Sequence, residues 1–194
     1  MFVHGKDRRI QKTQKALRDA LASLIGEKPY DEIVVKEILD RADVGRSTFY
    51  MHFRDKDELL LSGIHDIIGA VHSPTQVLPG KWHDRILWFG LPIFEYHYQH
   101  RHARADKMGP RGRALLHEHL RKVLAEVIAD VFKKDFRAGR KSGRIPPDLL
   151  SGYVASTFVL VLNWWVEHGM PMPPKQVNDI FRSLVSPTLV SAQD

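Results

Sequence analysis

The stretch VGRSTFYMHFRDKDEL, residues 44–59, decides the fold of the N-terminal part of this 194-residue chain. Phe49 and Phe53 are four residues apart, so on a helix they share one face and can both pack inward. The opposite face carries hydroxyls, an Arg, a Tyr and a His, whereas an ordinary solvent-exposed helix would carry Glu and Lys. A helix of this kind indicates a surface that contacts a partner.

A short helix precedes this stretch and is separated from it by a tight turn. Residues 31–42 can turn Ile33, Ile38 and Leu39 inward, and Asp43–Gly45 form the turn. Two short helices joined by such a turn, with polar groups on the second, are the pattern of a helix-turn-helix. The same spacing also arises by chance in all-α proteins, so the pattern alone leaves DNA binding and an ordinary protein surface both open.

The second helix of a helix-turn-helix lies in the major groove of DNA, where base edges present donors, acceptors and thymine methyl groups. Arg46 suits guanine or phosphate, the short hydroxyl side chains suit bases or phosphate, and Met51 suits a thymine methyl group. Lys36 lies near the start of the short preceding helix, and Lys56 lies near the start of a further helix that begins in RDKDELL, residues 54–60. Helix N-termini favour phosphate. The predicted DNA-binding residues are Lys36, Arg46, Ser47, Thr48, Tyr50, Met51, His52 and Lys56.

Charge and composition agree with a nucleic-acid partner. Residues 1–18 hold six Lys or Arg and one Asp, so their formal charge is six minus one, or +5, in a chain of net charge +6. Such a cluster attracts DNA whatever its sequence. The chain has no Cys, which excludes disulfides and thiolate metal sites. We find neither a secretory signal nor a segment that approaches a membrane span, so we expect a cytoplasmic protein with no membrane contact.

The rest of the chain repeats its apolar residues with the period of a helix. No strand pattern and no internal repeat are present, so the predicted fold class is all-α with about nine helices. We expect a helix-turn-helix DNA-binding domain at residues 1–56 and a larger helical effector-binding and dimerisation domain at residues 57–194. Residues 147–168 form a helix that is apolar on nearly every side and therefore needs cover on both flanks.

The C-terminal domain holds two sets of candidate residues. Its aromatic side chains predict an apolar pocket for a small-molecule effector of apolar or aromatic character, although core filling is the simpler reading for any one ring. The pocket candidates are Trp82, Trp88, Phe89, Phe94, Tyr98, Phe132, Phe158 and Trp164. The two terminal helices predict a four-helix homodimer interface, with an intramolecular core as the alternative. The dimer candidates are Gly152, Ala155, Phe181, Leu184 and Leu189.

Metal binding and catalysis have little support in the sequence. Five His residues lie between residues 97 and 119, but His at positions i and i+2 points to different sides of a helix. No carboxylate pattern completes a ligand set, so we predict no metal and no cofactor. Since the sequence contains no nucleophile elbow, phosphate loop or helical metal motif, we predict that the chain is not an enzyme.

Residues 8–61 resemble the N-terminal domain of the TetR family of bacterial transcription regulators. The resemblance rests on STFYMHF followed by DKDEL, at the family's distance from VKEI. It implies an all-helical homodimer in which each subunit has a DNA-reading head and a ligand-binding body. By position it assigns DNA contacts to Lys36, Thr48, Tyr50, His52 and Lys56, and sequence preference to Arg46 and Ser47.

Three places depart from the family pattern. Gly45 stands where a Ser is usual, which gives the recognition helix a weaker cap. Asp43 replaces the usual turn Gly, and Asp tolerates a left-handed backbone better than most residues. Val34 and Val35 stand where a Thr often contacts phosphate.

These departures keep a second function open beside the first. The first is a repressor that binds a near-palindromic operator as a homodimer and responds to a small molecule. The alternative is a TetR-fold interaction or co-activator subunit that docks on a protein partner and does not read DNA alone.

Overall fold

All regular structure in the described part of the chain is helical, which confirms the predicted all-α fold class. The computed structural model describes residues 3–71, 82–99, 108–137 and 145–192. Its α-helices, numbered in chain order, are Val3–Glu27 (α1), Val35–Ala42 (α2), Arg46–His52 (α3), Lys56–Val71 (α4), Trp82–Ile86 (α5), Gly90–Gln99 (α6), Gly109–Arg137 (α7), Pro147–Glu167 (α8) and Pro174–Ser191 (α9). A 3₁₀ turn, Tyr30–Glu32, connects α1 to α2.

The chain divides into two compact units. The described residues of unit 1 are 3–65 and 108–116, and those of unit 2 are 66–71, 82–99, 117–137 and 145–192. Unit 1 therefore contains the predicted DNA-binding domain, residues 1–56, together with the start of α4 and the start of α7.

Unit 1 is built around one apolar core. The inward face of α1 repeats with helical spacing at Leu17, Leu21 and Leu24, all buried. Phe49 and Phe53 bring α3 onto the same core. Fully burying one such side chain contributes about 1.5–3 kcal/mol to stability, so these few contacts are enough to hold the short α3 in place.

The start of α7 also packs in unit 1, although α7 begins 38 residues after α4 ends. Gly112 allows a close approach, because a Cβ there would lie 3.0 Å from Cδ1 of Tyr30. The buried Tyr30 hydroxyl donates a hydrogen bond to Asp57, and Arg111 Nη2 lies 3.0 Å from the other oxygen of that carboxylate. Burial, and next the hydrogen bond to Asp57, raise the pKa of Tyr30, so its hydroxyl keeps the proton that it donates.

Unit 2 has a core of aromatic rings. Phe158 is fully buried, and its ring centroid lies 5.0 Å from those of both Phe89 and Phe94 and 5.2 Å from that of Phe181. Trp165 extends this cluster and donates its indole N–H to the Met172 carbonyl at 2.9 Å. The cluster joins α6, α8 and α9.

The backbone of α6 at Gly90 lies close to two side chains of α9. A Cβ on Gly90 would lie 2.5 Å from Oδ1 of Asn178 and 3.4 Å from the ring of Phe181. Asn178 is buried, and its Oδ1 has no hydrogen-bond partner among the described residues. The space that Gly90 leaves is thus filled by a buried amide oxygen.

Helix α8 is long and apolar enough to cross a membrane by length and composition, so the prediction that no segment approaches a membrane span was wrong. Of its most apolar 18-residue window, 44% is buried inside the chain. Its inward residues include Val154, Phe158 and Trp165, which belong to the core of unit 2. This is the environment of a core helix that is covered on one side within the chain.

Candidate DNA-binding interface

The turn between α2 and α3 has the backbone conformation that its sequence allows. Asp43 ends α2 in the left-handed region with φ 52° and ψ 47°, and the next N–H, of Val44, donates to the Leu39 carbonyl at 3.1 Å. Asp adopts the left-handed conformation more readily than most residues because its short polar side chain can hydrogen-bond locally, as predicted. Gly45 follows as the N-cap of α3 with φ −67°, and no side chain caps the helix there.

Helix α3 is fixed to the core of unit 1 by its two Phe residues. Phe49 is fully buried and Phe53 almost so, and their ring centroids are 5.9 Å apart. The inward orientation predicted from their spacing is confirmed. One turn later, Asp55 Oδ1 accepts a hydrogen bond from the Glu58 N–H at 2.8 Å, so Asp55 caps the start of α4.

The outer face of α3 brings most of the predicted DNA-binding residues together. Met51 is 74% exposed and Tyr50 is 48% exposed. Arg46 and Ser47 are exposed on the first turn, whereas Thr48 and His52 are half-buried at the sides of the helix. The Arg46 guanidinium carbon lies 5.7 Å from the centre of the Tyr50 ring. These side chains form one continuous polar and apolar surface, which we call the α3 face.

Lys56 differs from the other predicted contacts, because its ammonium is used within unit 1. Its Nζ donates to the carbonyls of Ile33, Tyr30 and Asp31 at 2.7, 2.9 and 3.3 Å. It also lies 4.5 Å from the centre of the Tyr30 ring. Burial lowers the pKa of Lys56. Lys56 therefore holds the 3₁₀ turn against the start of α4, a role that sequence spacing alone does not indicate.

Ion pairs fix α2 against the end of α1. Lys28 Nζ lies 2.6 Å from Glu37 Oε1, and the hydrogen bonds from Lys28 are the main cause that lowers the pKa of Glu37. The same carboxylate accepts the Val34 N–H at 3.0 Å. Val34 itself is exposed at the N-cap of α2 and has no hydroxyl to offer. Lys36 is exposed on the first turn of α2.

The predicted dimer residues separate into two groups in unit 2. Ala155, Phe181 and Leu189 are fully buried within the chain, so they cannot offer area to a second copy. Leu184 is 49% exposed, and nothing lies within 4 Å of a Cβ placed on Gly152. Sequence periodicity did not place the exposed apolar residues beside them in the dimer interface; these include Leu149, Tyr153, Leu160, Trp164, Val166, Ile180 and Val190.

The predicted pocket residues are also divided. Phe89, Phe94, Phe132 and Phe158 are buried, and the Phe158 ring contacts those of Phe89 and Phe94 in the aromatic core. Trp88 and Tyr98 are half-buried, and Tyr98 stacks on Trp165 at 6.1 Å. Trp164 is exposed on α8. The side chain of Trp82 lies outside the described residues.

Among the residues that the structure describes, no three His, Asp or Glu side chains are grouped as a metal site would require. His100 and His102, two of the five His residues noted above, lie outside the described residues.

Comparisons with known proteins place these features in a class. Residues 17–62 match the family described as bacterial regulatory proteins of the tetR family, and residues 87–187 match a transcriptional regulator C-terminal region, TetR_C_8. The fold is thus that of a helix-turn-helix transcriptional regulator. The chain belongs to the TetR family. The matched families are of regulators, not enzymes, as predicted.

Individual relatives agree with this assignment. YxbF of Bacillus subtilis strain 168, an HTH-type transcriptional regulator, is 38% identical over 55 residues, which are 28% of this chain and only 14% of that protein. A TetR transcriptional regulator from Streptococcus agalactiae 2603V is 25% identical, with a TM-score of 0.56 over 94% of this chain and 98% of that chain.

Two further solved structures share the fold at lower identity. A TetR-family regulator from Syntrophomonas wolfei is 16% identical, with a TM-score of 0.65 over 93% of this chain and 96% of that chain. DhaS, a dihydroxyacetone kinase operon activator, is 14% identical, with a TM-score of 0.60 over 94% of this chain and 98% of that chain. At these identities the likeness concerns the fold alone.

Proposed function

We propose that the chain is a cytoplasmic repressor that binds a near-palindromic operator as a homodimer, with the α3 face in the major groove. The observation that carries this proposal is that Phe49 and Phe53 hold α3 from within while Arg46, Tyr50 and Met51 stay exposed. The major groove admits one helix and offers base edges suited to these side chains. Ser47, Thr48 and His52 border the same surface, and Lys36 supplies a phosphate contact from α2.

The proposed dimer uses the exposed apolar residues of α8 and α9. Along α8, Leu149, Tyr153, Leu160 and Trp164 recur at helical spacing on one face, and Leu160 is 66% exposed. Tyr153 donates its hydroxyl to the Leu184 carbonyl at 3.0 Å, which joins this face to the exposed side of α9. An apolar surface that spans two adjacent helices favours burial against a second copy. Gly152 would let the two backbones approach closely.

Leu160→Glu tests the dimer by light scattering coupled to gel filtration. A charge in the centre of an apolar interface is expected to shift the chain from dimer to monomer, since the carboxylate would be desolvated without a partner. Gln99→Glu adds the same charge at an exposed position of α6 and should leave the mass unchanged. A wild-type chain that is monomeric at micromolar concentration would exclude this interface.

The proposed effector is a small molecule of apolar or aromatic character that binds unit 2. Its support is the concentration of rings there, and the half-buried Trp88 and Tyr98 are the residues best placed to contact a ligand at the edge of the aromatic core. An effector changes operator affinity only if it binds one conformation of the dimer better than the other.

Selection from a random pool of duplex DNA tests the central proposal. The full chain is expected to enrich two inverted half-sites, with binding that weakens steeply as salt rises because phosphate contacts release counterions. Arg46→Ala should reduce this enrichment, whereas Lys175→Ala, at an exposed position of α9, should not. A pool that shows no sequence preference after selection would exclude DNA reading by the chain alone.

A second candidate function is a TetR-fold interaction or co-activator subunit that docks on a protein partner. The observations that favour it are the exposed Val34 at the N-cap of α2 and the engagement of the Lys56 ammonium by three carbonyls. Both reduce the number of phosphate contacts. The fold does not decide the sign of regulation either, since DhaS shares it and is described as an activator. Under this alternative, Arg46→Ala and Tyr50→Ala leave regulation in cells unchanged.

A further inference from the structure

Tyr50 and Arg46 form a pair on the exposed face of α3. They are four residues apart, so the side chain of Arg46 lies one helical turn before that of Tyr50. The guanidinium carbon is 5.7 Å from the ring centre, within the range of a cation–π contact. No ion pair between Arg46 and a carboxylate is seen in the part of the chain that the structure describes.

The Tyr50 ring is itself held in place. It packs at 88° against Phe49, with ring centroids 5.2 Å apart, and Phe49 is fully buried. Contacts therefore run from the core of unit 1 through Phe49 and Tyr50 to the guanidinium of Arg46. An exposed Arg side chain loses much rotational freedom when it binds, and a ring against its guanidinium removes part of that freedom beforehand.

A cation–π contact needs no hydrogen bond from the guanidinium N–H groups, so it leaves these donors available to DNA. The donors lie in the plane of the guanidinium as a rigid fork. Guanine offers two acceptors, O6 and N7, along its major-groove edge, and a fork of two N–H donors matches them. A phosphate contact would instead carry no information about the base.

We propose that Tyr50 is a positioning residue that holds Arg46 to read a guanine in each half-site. The inference rests on the proposed DNA-binding function and names one base that this site would recognise. The cation–π contact uses the ring of Tyr50 and not its hydroxyl, so the hydroxyl can bind phosphate independently. Tyr50→Phe removes only the hydroxyl, and Tyr50→Leu removes the ring as well.

The experiment measures base discrimination, which a merely structural role of Tyr50 would not change. Duplexes carrying the half-site selected by the wild-type chain are compared with duplexes in which each guanine in turn is replaced by another base or by 7-deazaguanine. The guanine whose replacement no longer matters to Arg46→Ala is the one that Arg46 reads. For the wild-type chain we expect discrimination of about 5- to 150-fold at that position.

The variants then separate the two roles of Tyr50. Tyr50→Phe is expected to weaken binding to all duplexes alike and to keep the discrimination. Tyr50→Leu is expected to reduce the discrimination at that guanine at least threefold, with discrimination at the other positions unchanged. Arg46→Lys, which keeps the charge and loses the planar fork, should behave in the same direction. Thermal unfolding is the control for folding. Arg46 is exposed, so Arg46→Ala and Arg46→Lys should unfold at the wild-type temperature, whereas Tyr50→Leu loses the ring contact with Phe49 and should unfold only a few degrees lower.

Two results would overturn the inference, and they differ from each other. If the wild-type chain selects a sequence but Tyr50→Leu keeps the full discrimination at every guanine, Tyr50 does not position Arg46 and the proposed function stands. If the wild-type chain selects no sequence, the proposed function fails and this inference fails with it.

Discussion

Replacing Lys56 by Met tests whether a predicted DNA contact is instead part of the fold of unit 1. Its ammonium donates three hydrogen bonds to carbonyls of the 3₁₀ turn and the residue after it, two of them at 2.7 and 2.9 Å. A hydrogen bond from a charged group contributes about 1.5–3 kcal/mol, but the burial that lowers the pKa of Lys56 offsets part of this. We expect Lys56→Met to lower the free energy of unfolding of unit 1 by roughly 1–2 kcal/mol.

Lys36→Met is the matched control, since it removes the same charge from an exposed position of α2. It should change the stability by less than about 0.5 kcal/mol. If Lys36 binds a phosphate, the slope of log K against log salt for the selected duplex becomes less steep by about 1. Lys56→Met should leave this slope unchanged.

Two measurements decide between these roles. Hydrogen exchange of the amides of α2 and α3 without DNA reports the stability of unit 1, and duplex binding at several salt concentrations gives the slope. The reasoning is refuted if Lys56→Met exchanges as slowly as the wild type while its salt slope falls by about 1. Lys56 would then be a phosphate ligand, and its three carbonyl contacts would contribute nothing to the fold.

Other substitutions probe the packing and the caps. Gly90→Ala should lower the free energy of unfolding by about 1–3 kcal/mol, because the new Cβ collides with Asn178 Oδ1. Each kcal/mol corresponds to a fall of about 2–4 °C in Tm. Trp fluorescence of unit 2 measures the unfolding. Adding Asn178→Ala to Gly90→Ala should restore at least half of the lost stability. If the double variant is no more stable than Gly90→Ala alone, the collision with Asn178 is not the cause of the loss. Gly45→Ser should raise the amide protection of α3 and Gly45→Ala should lower it, because only Ser adds a side chain that accepts a hydrogen bond from the first turn. Equal protection in the three proteins would show that the cap is unimportant.

The remaining prediction concerns acid. Hydrogen bonds from Lys28 hold the pKa of Glu37 below its usual 4.5 in the folded chain. The ionised Glu37 therefore stabilises the fold fully above that value, and this contribution is lost as the pH falls through the lower pKa of the folded state. Glu37→Gln should therefore lose less stability than the wild type below about pH 4.5 in circular dichroism melts. Parallel pH profiles of the two proteins would show that the pair with Lys28 contributes nothing.

The sequence correctly predicts features that depend only on residues close to one another in the chain. Phe49 and Phe53 are buried because four residues make one helical turn, and Asp43 takes a left-handed backbone because its side chain allows it. Gly90 is the first residue of α6, a boundary position that suits a weak helix former. In each case the cause lies within a few residues of the effect.

The parts that sequence reasoning missed depend on contacts between distant residues. Helix α9 is apolar on two sides, and periodicity does not tell which side faces inward, so Phe181 and Leu184 were grouped although one is buried and the other half-exposed. Lys56 finds its partners 23 to 26 residues earlier in the chain. Gly109 and Gly112 lie one helical turn apart, and small residues allow another element to approach a helix closely. This spacing predicts that α7 packs closely there, but it does not identify the element against which α7 packs.

The position of Arg111 beside Asp57 has a consequence for exchanging parts between relatives. Unit 1 is assembled from two separate pieces of the chain, so the boundaries of a DNA-reading module do not coincide with one continuous stretch. A chimaera that joins residues 1–65 to a foreign C-terminal region would lack Arg111, so the hydrogen-bonded pair Tyr30–Asp57 would lose the guanidinium beside it. It would also lack Gly112, which lies against the Tyr30 ring. A transplant that keeps residues 100–116 with the first piece carries both pieces of unit 1.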